Sequence, residues 1–144
     1  MIGAVVNARP ELFDVAVADV PFVDVLNTML DATLPLTVVE WEEWGNPQER
    51  AAFDDIRAYA PYENVVAQDY PSMMILAGWS DPRVGYWEPA KLTARLRATK
   101  TDDNPLVLRT HLEAGHGGPS GRYAAYRETA FLYAFALGVL APAG

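Results

Sequence analysis

Residues 73–83 read Met73-Met74-Ile75-Leu76-Ala77-Gly78-Trp79-Ser80-Asp81-Pro82-Arg83. A continuous apolar run closed by glycine is the pattern of a strand buried on both faces. The Asp-Pro step after it marks a turn. Downstream, residues 87–99 have helical spacing, with Lys91, Arg95 and Arg97 expected on the outer face. Leu106-Val107-Leu108 opens another strand, and Glu113-Ala114-Gly115-His116-Gly117-Gly118 forms the loop beyond it. Residues 120–140 predict a long amphipathic helix with Ser120 as its N-cap. Its Tyr123, Tyr126, Phe131, Tyr133 and Phe135 are expected in the core. Upstream, residues 1–8 are helix-compatible and Arg9-Pro10 stops them. Val15-Ala16-Val17-Ala18 is a short strand, and residues 23–30 are helical or irregular. Residues 35–47 read as a loop carrying Trp41, Trp44 and three glutamates, and residues 48–59 as a helix.

This alternation predicts an α/β fold in one domain over residues 1–144, with about three mostly parallel strands and flanking helices. In such sheets reactive groups gather at the carboxyl ends of the strands. Asp19, Asp81 and His116 all fall there.

The composition narrows the function classes. With 51% hydrophobic and 21% charged residues, the 144-residue chain can bury a real core. No run of about 18 apolar residues is present, so no membrane span is expected. The first residues lack a basic segment ahead of a cleavable apolar stretch, so no signal peptide is read. Cysteine is absent, which excludes disulfides, thiol catalysis and thiolate metal sites. A cytoplasmic location is the expectation. The formal net charge of -8 and a pI near 4.6 repel phosphate backbones and argue against a nucleic-acid partner. The acidity serves solubility or favours a cationic substrate, and composition does not separate the two.

Among the polar residues, His116 is the first candidate for chemistry. Its glycine neighbours let an imidazole stand clear of the backbone. A buried carboxylate such as Asp81 would fix its tautomer and leave the other ring nitrogen as base. Read alone, the same histidine is an incidental turn residue. Arg83 has two readings, a binder of a substrate carbonyl or carboxylate and a surface ion-pair residue. Glu40, Glu42 and Glu43 surround Trp41 and precede Trp44. Carboxylates in an aromatic-walled loop suit a guanidinium or ammonium group, and a solvated acidic loop is the alternative. His111, in or beside the last strand, reads as structural. No metal-ligand spacing and no glycine-rich phosphate loop is present. Only three serines exist: Ser72, Ser80 and Ser120. Ser72 starts a strand at the wrong end of the sheet. Ser80 and Ser120 are the candidate nucleophiles, each with an alternative role as turn residue or helix cap.

An acid and then a histidine, each after a strand, follow the order of an α/β-hydrolase triad, which runs Ser, acid, His. Four segments carry a closer resemblance: Val20-Pro21-Phe22-Val23-Asp24-Val25, Glu42-Glu43-Trp44-Gly45-Asn46-Pro47, Tyr86-Trp87-Glu88-Pro89-Ala90-Lys91 and Gly115-His116-Gly117-Gly118. With them the chain resembles the C-terminal part of the catalytic domain in the oligopeptidase B branch of the prolyl oligopeptidase family of serine peptidases. The resemblance implies an α/β-hydrolase fold, cleavage after Arg or Lys, and no cofactor. It implies Asp81 as triad acid, His116 as triad base and Arg83 as a substrate-binding arginine. It implies Glu40 and Glu42 as the carboxylates that hold a basic side chain.

One departure is severe. The family's nucleophile elbow lies just upstream of the segment matching Met1, and no G-x-S-x-G elbow is present here. The expected fold is therefore truncated, keeping three strands of eight. Two functions follow as expectations. The first is a weak esterase or peptidase acting on a small ester or short basic peptide, with Asp81, His116 and a non-standard nucleophile (Ser80, Ser120 or water). The second is a catalytically inactive fragment, either part of a split enzyme or a binding module for basic peptides. The exposed apolar edge at Val15-Ala18 predicts a homodimer or larger homo-oligomer.

Overall fold

β2 (Ser72–Gly78) is the middle strand of the sheet in the computed structural model, which describes residues 1–141. All seven of its residues are buried, as a strand covered on both faces requires. β1 (Val15–Asp19) pairs on one side of it and β3 (Leu106–His111) on the other, all parallel. Parallel neighbours need crossover connections. α5 (Trp87–Thr99) makes the one from β2 to β3. Between β1 and β2 run α2 (Val25–Leu30), α3 (Thr37–Trp44) and α4 (Arg50–Tyr59). α1 (Ile2–Ala8) precedes β1, and α6 (Arg122–Leu140) follows β3. Among the described residues, β1 and β3 each keep one unpaired edge. No described helix is long and apolar enough to cross a membrane.

Side chains alternate across a strand, so each strand serves two layers. Ala16, Ala18, Met73 and Ile75 cluster with Val6 of α1 and with Leu92 and Leu96 of α5, and Leu106 and Leu108 pack against them. The opposite face meets α6, which lies across β1 and β2. A second cluster joins Val25, Leu26 and Met29 of α2 to Ile56 and Ala60, with Phe22, Trp41, Trp44 and Phe53 at its margin.

The structure corrects the sequence reading in four places. First, residues 37–44 are the helix α3, not loop. Leu36 caps it without a side-chain bond, and its first three residues are all β-branched, so local propensity is weak. Tertiary bonds hold it instead: Thr37 Oγ1 donates to the Thr28 carbonyl at 2.9 Å, and the Trp41 indole N–H to the Met29 carbonyl at 3.0 Å. Second, α6 has no buried residue. Tyr123, Tyr126, Tyr133 and Leu137 are 62–74% exposed, because among the described residues no further layer covers the helix. Third, Gly121, with φ +100°, takes the N-cap position of α6, and Ser120 lies one residue outside it. Fourth, Lys91 and Arg95 fold back over the Tyr62 ring, at 4.7 and 4.9 Å, and only Arg97 of the three is exposed.

Candidate active site

Two loops meet at the carboxyl ends of β2 and β3. Their backbones touch: a Cβ on Gly78 would lie 2.6 Å from the Gly115 carbonyl oxygen and 2.9 Å from that of Ala114. Only glycine permits this approach. Two backbone bonds stitch the loops, Trp79 N–H to the His111 carbonyl at 2.9 Å and Ser80 N–H to the Ala114 carbonyl at 3.2 Å.

The contact brings Asp81 to His116. Asp81 Oδ2 and His116 Nδ1 are 2.9 Å apart, with the Asp81 side chain 0% exposed and that of His116 37%. Asp81 Oδ1 accepts the backbone N–H groups of Arg83, at 2.8 Å, and Val84, at 3.0 Å. Burial pushes this carboxyl up. The Val84 and Arg83 amides and the histidine bond outweigh it and hold the group below the ordinary aspartate value. A carboxylate fixed on one oxygen by the backbone holds the imidazole with the other. Nδ1 then carries the proton, and Nε2 is the basic nitrogen.

A cavity of about 910 Å³ opens beside the pair, and Asp81, Arg83 and His116 line it. Phe22, Trp44 and Trp87 supply aromatic walls. Phe22 meets Trp44 edge to face, 5.3 Å between centroids. Glu40 and Glu43 also line the cavity, one turn apart on a single face of α3. Glu42 points elsewhere: it is exposed and absent from the lining. The helix thus separates Glu42 from Glu40 and adds Glu43. Trp41, Trp44 and Gly45 carried the signal for it, a helical spacing closed by a glycine at φ +92°. Among the described residues, no carboxylate lies in salt-bridge reach of Arg83, so its surface ion-pair reading has no partner here.

The serines are not gathered in. Ser80 and Ser120 are exposed, neither lines the cavity, and no hydroxyl among the described residues hydrogen-bonds His116. Ser120 lines a separate cavity of about 480 Å³ with Arg109 and His111. Ser72 is buried at the start of β2, the far end from the loops. His111 closes β3, with Nε2 3.0 Å from Glu128 Oε2 of α6.

Residues 1–143 match the prolyl oligopeptidase family. The chain belongs to that family. Protease 2 of Moraxella lacunata is 55% identical over 137 residues, which are 95% of this chain and 20% of the relative. Dipeptidyl aminopeptidase BI of Pseudoxanthomonas mexicana is 53% identical over 137 residues, 95% of this chain and 19% of that protein. The structure of oligopeptidase B from Trypanosoma brucei with covalently bound antipain superposes with a TM-score of 0.94 at 56% identity. It covers 96% of this chain and 20% of that one. Oligopeptidase B from Leishmania major gives 0.94 at 51% identity, with 96% and 19% covered. The chain therefore spans about a fifth of the length of the relatives it matches. The family resemblance read from the sequence holds, and so does the α/β class with three parallel strands.

Proposed function

We propose that this chain is a small, weak hydrolase in which His116 is the general base on a water molecule attacking an activated carboxyl ester. One observation carries the reading: the Asp81–His116 pair at 2.9 Å, with Asp81 anchored by two backbone amides. Nε2 takes a proton from water as the oxygen bonds the ester carbonyl carbon. The tetrahedral intermediate then expels the alkoxide or aryloxide, which takes the proton from Nε2 or from solvent. Glu40, with Glu43 beside it, holds a basic side chain of the ester or of a short basic peptide, and Arg83 holds a substrate carbonyl or carboxylate. Water is taken as the nucleophile here, since among the described residues no hydroxyl hydrogen-bonds His116. Such a site keeps general-base assistance without covalent catalysis, which makes activated esters better substrates than amides. A cytoplasmic location completes the proposal.

Hydrolysis of 4-nitrophenyl acetate by the pure protein tests it. His116→Ala should lower the rate by about 10²-fold, and Ser80→Ala and Ser120→Ala should leave it unchanged. Equal rates in wild type and His116→Ala would overturn the assignment. A large loss in either serine variant would overturn water as nucleophile.

A second reading is favoured by the unpaired edge of β1 and the exposed aromatic face of α6. Free strand edges and uncovered apolar faces are places of association. On this reading the chain acts by assembly, as a homo-oligomer or as one part of a split peptidase that binds basic peptides. Solution mass at micromolar concentration tests the first form, and a well-folded monomer removes it. Mixing with the separately produced upstream part of a relative such as Protease 2 tests the second. Restored cleavage beside basic residues supports it, and unchanged inactivity removes it.

A further inference from the structure

Two of the segments quoted from the sequence, residues 20–25 and 86–91, turn out to be partners. Glu88 is 1% exposed. Its Oε2 accepts the backbone N–H groups of Val23, at 2.8 Å, and Asp24, at 3.1 Å. Its Oε1 accepts the Thr28 hydroxyl at 2.7 Å. One turn along α5, Lys91 pairs with the buried carboxylate of Asp24. No cation lies in salt-bridge reach of Glu88 among the described residues. A buried carboxylate without a cation is costly. An apolar side chain would fill the same space more cheaply, so the position is held for its acceptors.

The place being held is a wall of the cavity. Phe22 precedes the two clamped amides and packs on Trp44, and both rings line the groove with Glu88 and Thr28. The backbone just ahead of it is strained: Val20, a β-branched residue before proline, has φ +40°. Such a turn persists only where its surroundings over-determine it. α5 begins six residues after Asp81, so the helix that carries Glu88 also follows directly from the Asp81 loop.

We propose that Glu88 is a positioning residue that fixes the Phe22–Trp44 wall relative to the Asp81–His116 pair, and so sets which side chain the groove accepts. The inference rests on the groove being the substrate site. Glutamine keeps the geometry: its carbonyl takes both N–H groups and its amide donates to the Thr28 oxygen. Alanine does not.

The test compares wild type, Glu88→Ala, Glu88→Gln and Thr28→Val, the last removing one arm of the clamp in case alanine does not fold. Two quantities are read. The first is amide hydrogen exchange at Val23 and Asp24. The second is KM and kcat on the 4-nitrophenyl ester of N-acetylarginine, beside the rate on 4-nitrophenyl acetate. Glu88→Ala should speed exchange at both amides by about tenfold or more. It should raise KM for the arginyl ester by about tenfold, well beyond any change in the acetate rate. Thr28→Val should shift KM the same way by less, and Glu88→Gln should stay near wild type. Glu88→Gln matching Glu88→Ala, or both esters losing rate in parallel, would overturn the proposal. A wild-type protein that does not favour the arginyl ester overturns the reading of the groove itself, and the exchange data then decide the clamp separately.

Discussion

On one face of the sheet, α1 and α5 close over Ala16, Ala18, Met73 and Ile75. On the other, α6 crosses β1 and β2 by itself and leaves Tyr123, Tyr126 and Tyr133 in solvent. The two loops that hold Asp81 and His116 sit at the strand ends between these faces. A backbone contact at Gly78 and Gly115 sets them, with amides of the Asp81 loop itself. The Asp81–His116 contact is thus held by bonds within and between its own two loops. The acid–base geometry is encoded within about forty residues, and the covering of the sheet is not.

The largest effect should come from the closed face. Ile75 is 0% exposed at the centre of that cluster. Ile75→Ala should cost about 2–5 kcal/mol of folding stability in urea unfolding. A loss well under 1 kcal/mol would mean that this face is as loosely built as the other, and the contrast would fail. Next comes the loop contact. Gly78→Ala drives a methyl group into the Ala114 and Gly115 carbonyl oxygens, a crowding that costs about 1–3 kcal/mol. It should also part Asp81 from His116, so ester hydrolysis should fall even where the variant is fully folded. Unchanged activity in folded Gly78→Ala would show that the pair does not need the contact.

Much of this was legible in the chain because β2 speaks in one voice. Its apolar run, closing glycine and Asp-Pro turn all agree on a buried strand with a reactive end, and the β3 loop repeats the arrangement with His116. The sequence reading went wrong where tertiary context overrides local pattern. α3 has weak local propensity and is held by bonds from Thr37 and Trp41 to α2 carbonyls, so residues 37–44 read as loop, and the residues alone did not separate Glu42 from Glu40 and Glu43. The aromatic residues of α6 read as core because periodicity shows which residues share a helix face and not whether anything lies against it. The Glu88 clamp was invisible for a simpler reason. Two of its three partners are backbone amides more than 60 positions away, and amides leave no mark in a sequence.

The two buried carboxyls should divide the pH response. Asp81 is held below the ordinary aspartate value. Its contribution to stability is present above the unfolded-state pKa and is lost as pH falls through the depressed folded value. Asp81→Asn should therefore remove part of the acid limb of a stability profile. Glu88 is the opposite case. Burial pushes it above the ordinary glutamate value, against the Thr28, Val23 and Asp24 bonds that lower it, and the Asp24 charge adds to the rise. The native state then binds this proton more tightly than the unfolded chain does. Stability falls as pH rises from the ordinary glutamate range through the raised value. Glu88→Gln should flatten that fall in urea titrations carried upward in pH from the ordinary glutamate range. The same downward slope in Glu88→Gln would place the titrating group elsewhere, Glu63 being the next carboxyl that burial raises.

The smallest effect should come from the open face, and its smallness is informative. Tyr133 and Leu137 are each 66% exposed. In a chain that stands alone, Tyr133→Ser and Leu137→Ser remove little buried area, so each should change unfolding free energy by no more than about 0.5 kcal/mol. If α6 is instead covered in solution, by a second copy or by another part of a peptidase, the same residues are buried in the assembly. Their substitution should then lower stability in a concentration-dependent way, because association is linked to folding by mass action. Urea midpoints for the two variants and the wild type, at two protein concentrations about a hundredfold apart, separate the cases. Concentration-independent midpoints with near-zero change leave the open face open. A wild-type midpoint that rises with concentration, and variants that lose the rise, make α6 the seat of assembly and remove the asymmetry between the two faces.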